Sequence, residues 1–209
     1  MPLLKVVPTK SNMLKLRRDL SFAREGYELL EQKRQILVVE LMALMDKTIE
    51  AQERMEKTVA VAFEALRKDL LVTGRRNLGR VAPAVNFRAE ASVHFRRVMG
   101  VSLPQVEVKT RDAAPYFSPG ETSAMTEEAI LRFKEVLLEI GRLAEMRISL
   151  IRLAEEVRKT MRRVNALEKI AIPNYEETIK YIQDSLEEGE RGMIATLKQV
   201  KKRLALKRG

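Results

Sequence analysis

Apolar and small residues recur near the start of the chain at alternating spacings of three and four: Met13, Leu16, Leu20, Ala23, Tyr27, Leu30, Leu37, Leu41, Leu44, Ala51, Met55, Ala62 and Ala65. Arg34, Thr48 and Thr58 fill the remaining positions of that stripe. A period of about 3.5 residues keeps one stripe facing a partner along a whole helix, so the pattern predicts a coiled-coil arm. A second stripe follows Leu143, Met146, Leu150, Leu153, Val157, Thr160, Val164, Leu167 and Ala171, then resumes as Tyr175, Ile179, Ile182, Leu186, Met193, Leu197, Val200 and Leu204. Between the stripe positions of the first arm stand charges such as Glu31, Lys33, Glu40, Lys47, Glu50 and Glu53, as on a solvated helix face. Pro173 interrupts the second stripe. Its missing donor and its clash with the preceding turn predict a kink near residue 173.

The helix breakers cluster between the arms: Gly74, Gly79, Pro83, Gly100, Pro104, Pro115, Pro119 and Gly120. Gly74 is placed to end the first arm. Residues 92–99 and 101–108 alternate well enough to be two strands about Gly100, a hairpin that includes Val98, Val101 and Pro104. Two strands alone are marginal in water, so the hairpin should lean on the coiled coil or on another protein chain, with Pro104 confining its strand to an edge. The predicted fold is therefore mainly α. N- and C-terminal arms, 1–73 and 122–209, form a long antiparallel two-helix coiled coil around a small central head, 74–121, with its β-hairpin. Gly26 falls on a helical arm, where glycine costs about 1 kcal/mol relative to alanine, so a close approach of a neighbouring helix is expected there.

Composition narrows the class. The chain has 209 residues, of which 45% are hydrophobic and only 5% aromatic, with no tryptophan and 10 methionines, which suits a thin seam better than a thick core. A seam of that kind is stabilised poorly per residue and calls for partners. Cysteine is absent, which excludes disulfides and thiolate metal sites and agrees with a reducing cytoplasm. The short apolar run from Met1 to Val7 does not resemble a signal peptide, and no stretch approaches the roughly 18 uncharged apolar residues of a membrane span. A soluble protein without membrane insertion is expected.

The formal net charge is +10. Lys198, Lys201, Lys202, Arg203, Lys207 and Arg208 close the chain without an acidic residue among them, and Lys5, Lys10, Lys15, Arg17 and Arg18 crowd the other terminus. An antiparallel hairpin brings these together at one end. Such charge suits nucleic acid, anionic membrane or acidic protein alike, but the stacking aromatics that accompany nucleic-acid binding are missing. Candidate chemistry is sparse. The run from Gly74 to Gly79 lacks the Lys-Ser/Thr of a phosphate-binding loop and follows a helix rather than a strand. His94 is the one histidine, which excludes a histidine-based metal cluster. Glu127-Glu128 and Glu187-Glu188 read as helix surface. No catalytic, cofactor-binding or metal-ligating set emerges.

The segment from Lys159 to Pro173, KTMRRVNALEKIAIP, followed by Glu176-Glu177-Thr178-Ile179-Lys180-Tyr181-Ile182, closely resembles the C-terminal signature of the D subunits of V-type and A-type rotary ATPases, the central rotor shaft. Pro8-Thr9-Lys10, Leu14, Leu20, Ala23, Gly26, Leu29-Leu30, Lys33 and Leu37 resemble the N-terminal pattern of that family, and the run from Val98 to Pro104 its hairpin segment. The resemblance implies a non-catalytic shaft standing in a hexamer of alternating A and B subunits. It also implies contacts with the small F-type stalk protein and with the funnel-shaped protein that caps the membrane ring, and a cytoplasmic place peripheral to the membrane. A two-helix coil inside a threefold shell is asymmetric by construction, and a helix from Met13 to Leu71 would run about 90 Å at 1.5 Å per residue. Arg162, Arg163, Asn165 and Glu168 are the candidate partner contacts on the signature. Lys198, Lys201, Lys202 and Arg203 are those on the tail, which should project as a single helix beyond about Ser185. A prefoldin-like chaperone or scaffold and a basic coiled-coil nucleic-acid-binding protein are the alternatives.

Overall fold

The computed structural model of the chain describes residues 6–85, 87–112 and 123–208, so the predicted breakers Pro115, Pro119 and Gly120 lie outside the described residues. Long helices occupy both ends. Helix α1 spans Lys10–Thr73, α2 spans Arg75–Val81 and runs into a 3₁₀ turn at Ala82–Ala84, strands β1 and β2 span Phe87–Val98 and Val101–Asp112, and α3 spans Ala124–Ala166. A π-helical turn at Leu167–Ala171 leads into α4, Ile172–Arg208. The chain folds as two compact units: a terminal unit of residues 1–35 and 158–209, and a hairpin unit of residues 36–157. Every predicted stripe residue of the first arm is buried or half-buried.

In the terminal unit, Thr9 starts α1 by accepting a hydrogen bond from the Asn12 backbone amide through Oγ1 at 3.2 Å, satisfying one of the unpaired donors of the first turn. α1 and α4 run antiparallel, as the ion pairs Arg24–Glu176 (2.6 Å) and Lys10–Glu190 (3.0 Å) show. Leu16, Ala23, Val164 and Ile182 are buried between the helices. Thr178, also buried, donates to the Asn174 carbonyl at 2.6 Å, so its hydroxyl enters the seam without an unmet donor. Pro173 is the second residue of α4 and follows directly on a π-helical turn, in which the Ile172 amide donates to the Leu167 carbonyl, so the imide falls where the i→i−4 ladder is already interrupted. The π turn immediately before it takes up the irregularity. The expected close approach at Gly26 is corrected: a methyl group built there would meet nothing within 4 Å.

In the hairpin unit, Leu37, Leu153 and Val157 from the two long helices meet Val101 and Leu103 of β2 in one core, with Val38, Leu41, Leu44 and Val98 packed around it. α1 ends at Gly74, whose φ of +82° suits glycine and whose amide donates to the Leu70 carbonyl at 3.1 Å. Phe63 and Phe133 stack edge-on with ring centroids 5.5 Å apart. Asp69 has no solvent exposure. Its Oδ1 accepts from Thr73 Oγ1 (2.6 Å), Thr126 Oγ1 (2.9 Å) and Ser123 Oγ (3.1 Å), a cluster at the start of α3, where the helix dipole favours a negative charge. Asp69 continues the α1 stripe one step past Ala65, a polar residue in a slot where the apolar pattern had run out.

The strands are longer than the sequence suggested, and Met99 belongs to the turn rather than to β1. Met99 and Gly100 have φ of 49° and 81°, the two positive values of a type I′ turn, whose twist matches that of the strands. That turn makes Val98 and Val101 a hydrogen-bonded pair, so pairs alternate along the ladder and Phe95–Pro104 is a non-bonded one. Pro104 therefore removes no ladder bond. Gly141 of α3 sits under β2: a Cβ there would lie 2.4 Å from Val108 Cγ2. Gly141→Ala is expected to destabilise the unit by about 1–2 kcal/mol, because overpacking against a stiff β-branched side chain outweighs the gain in helix propensity. A urea midpoint equal to or above that of the wild type would contradict this.

Candidate interaction surfaces

The signature segment divides cleanly by helix face. Thr160 and Val164 are buried and Leu167 is half-buried, while Arg162, Arg163, Asn165 and Glu168 are exposed. The two arginines thus leave α3 on the side away from its seam, free of ion pairs among the described residues. Glu168 has a further task. It adds a favourable charge to Arg34, whose guanidinium occupies the polar slot of the α1 stripe. Arg34 bonds Glu31 through both Nε (2.8 Å) and Nη2, within its own helix. The Glu31 carboxylate holds Arg34 more firmly protonated than usual, and the Arg34 hydrogen bonds draw Glu31 below the ordinary carboxylate range against the opposing effect of desolvation. A charge in the seam is kept there chiefly by a bidentate local partner, with Glu168 adding a lesser favourable charge.

The end of α4 is the second surface. The predicted stripe is buried or half-buried through Leu186, but Met193, Ile194, Leu197, Val200 and Leu204 are all exposed, with Met193 at 66% and Leu197 at 67%. Lys10, the first residue of α1, already pairs with Glu190, so α4 beyond that point has no counterpart on α1. Lys198, Lys201, Lys202 and Arg203 are exposed on the same stretch. The side chains of Lys207 and Arg208 lie outside the described residues. Among the described residues this apolar stripe has no partner, and the charge that flanks it is positive, a pattern suited to docking against an acidic surface.

A third surface lies in the hairpin unit. Leu137, Ile140, Ile148 and Ile151, with Ala144 between them, recur at helical spacing on α3, and all four large residues are exposed. Sequence reasoning missed this stripe because it followed the stronger seam on the same helix. In the hairpin, Val98 and Val101 pack into the core, Gly100 makes the turn, and Pro104 is buried. The hairpin is fastened to α3 by Glu145 Oε2, which accepts from the Val106 amide (2.8 Å), and by Arg152 Nη1, which donates to the Ser102 carbonyl (2.7 Å). Arg152 also lies 5.4 Å from the centroid of the Phe95 ring, within cation–π range. His94 is exposed on its strand, and α2 is a helix, not a phosphate-binding loop. Among the described residues no group of three or more His, Cys, Asp or Glu side chains could hold a metal ion, and no helix is long and apolar enough to cross a membrane.

A family model describing the D subunits of ATP synthases matches residues 12–202. The chain is 39% identical over 202 residues to the D subunit of the A-type ATP synthase of Pyrococcus furiosus, covering 95% of this chain and 94% of that protein. It is 36% identical over 200 residues to the D subunit of the V-type ATP synthase of Thermotoga neapolitana, covering 96% of this chain and 98% of its relative. Identity to the corresponding A-type ATP synthase D subunit of Thermococcus kodakarensis is 37% over 202 residues, again covering 95% and 94%.

Proposed function

The chain belongs to the family of D subunits of V-type and A-type ATP synthases, and from that premise we propose that it is the non-catalytic rotor of the central stalk, carrying torque between an A/B hexamer and the membrane ion-translocating ring. The observation that carries the reading is the end of α4, with its unpartnered apolar stripe and its run of lysine and arginine. On this reading the terminal unit enters the hexamer and the nucleotide chemistry stays at the A/B interfaces. Arg162 and Arg163 face the stator. Their planar guanidinium groups can exchange one carboxylate for the next as the rotor turns, and weak, solvated ion pairs slide where a dry apolar contact would lock.

The hairpin unit then faces the other partners. The exposed stripe on α3 offers a face for the small F-type stalk protein, and the helix-turn at α2 lies toward the funnel-shaped protein that caps the membrane ring. No part of the chain enters the membrane, and the protein is held in the cytoplasm, peripheral to the membrane through the complex. The rival readings predict other company. Tagged chain expressed in its native cell should bring down a small F-type stalk protein together with ATPase A and B subunits. Recovery of unfolded client proteins or of nucleic acid in a steeply salt-dependent manner, without those partners, would replace the proposal with the chaperone or the nucleic-acid reading.

A further inference from the structure

The two edges of the β-hairpin are treated differently. In a ladder closed by a two-residue turn, hydrogen-bonded and non-bonded pairs alternate, so the backbone groups of every second residue point away from the partner strand. On β2 these include Ser102, Pro104 and Val106. All three edge positions are blocked: Arg152 takes the Ser102 carbonyl, Pro104 has no N–H, and Glu145 takes the Val106 amide. On β1 the outward positions are Ala89, Ala91, Val93, Phe95 and Arg97. Each of these residues is exposed, and β1 contains no proline and no bulge. An open edge of this length is a template for a further strand, and two strands gain stability when a third is added.

The charge along β1 says what kind of strand fits. One face of β1 bears Ala89, Ala91, Val93 and Phe95 and is apolar up to Arg97 near its end; on the other face Arg88 and Arg96 outnumber Glu90. We propose that the β1 edge receives an extended segment of a partner protein, in which apolar side chains alternate with acidic ones, as a third strand of the sheet. Main-chain bonds to the outward groups of β1 supply the affinity, and the acidic side chains opposite the arginines supply the choice of partner.

Amide hydrogen exchange on the full chain tests this without reference to the rotor reading. In the chain alone, the amides of Ala89, Ala91, Val93, Phe95 and Arg97 should exchange fast, while those of Ser92, His94 and Arg96, held in the ladder, exchange slowly. An eight-residue peptide alternating valine and glutamate should slow the outward amides at least about tenfold, and its lysine counterpart should not. Ala91→Pro places an imide where no ladder donor is lost, as Pro104 does across the sheet, so it should keep the slow amides slow and abolish the effect of the peptide. Should that variant fail to fold, Arg88→Glu with Arg96→Glu, the two arginines that share one face of β1, should transfer the protection to the lysine peptide. In the ATPase purified whole, the outward amides should be protected without added peptide. Equal protection by both peptides, protection by neither, or fast outward amides in the purified ATPase would overturn the proposal.

Discussion

Leu37→Ala is expected to lower the stability of the hairpin unit by about 2–5 kcal/mol, the range for emptying a fully buried leucine site. Leu37 has no solvent exposure and stands where β2 meets both long helices, against Leu103, Leu153 and Val157. In a wider core the neighbours could close part of the gap. Here the neighbours are two helix backbones and a strand, and they can approach only by moving whole elements, so most of the cavity should remain. The same deletion should loosen the hairpin, because Val101 and Leu103 lose their main contact. The ladder amides of Gln105 and Glu107 are then expected to exchange faster than in the wild type. Leu71→Ala, at a site 82% exposed, serves as the control and should change stability by no more than about 0.5 kcal/mol. A loss below about 1 kcal/mol at Leu37 with unchanged exchange in β2 would mean that the hairpin is held by Glu145 and Arg152 rather than by the core.

The helical seam was legible because its physics is local and periodic: a stripe spaced by three and four must face something, and every stripe position from Met13 to Ala65 turned away from solvent. The turn at Gly100 was legible for a similar reason, since few residues accept a positive φ. What stayed hidden depends on contacts between elements far apart in the chain. Gly141 looks like a weak helix position until Val108 is placed above it. Pro104 looks like a flaw in a strand until the ladder shows which amides face outward. Asp69 looks like helix surface until Thr73, Ser123 and Thr126 converge on it. The candidate surfaces divide in the same way. The basic tail could be read from composition, whereas the exposed stripe on α3 shares its helix with a stronger pattern and emerges only when the seam has been accounted for.

Ending the chain after Glu190 is expected to leave the fold intact and abolish tight docking of the terminal unit. Among the described residues, those removed include none of the buried positions of that unit, which end with Ile182 and half-buried Leu186, so the unfolding midpoint should move little. The proposed binding face, by contrast, is lost whole. Burying side chains such as Met193, Leu197, Val200 and Leu204 stabilises a complex by up to about 1.5–3 kcal/mol each, of which ordering and association costs consume much. A net loss of only about 3 kcal/mol still weakens binding roughly 100-fold. Binding of the shortened chain to a preformed hexamer of A and B subunits, followed by surface plasmon resonance, is the measurement. The two components of the tail separate in the same assay. Lys198, Lys201, Lys202 and Arg203 changed together to glutamine should slow association and flatten its salt dependence, because exposed charges steer encounter. Met193, Leu197 and Val200 changed together to serine should instead speed dissociation, because buried apolar contacts set residence time. A shortened chain that binds the hexamer as tightly as the full one would remove α4 from the interface and leave Arg162 and Arg163 to carry the contact alone.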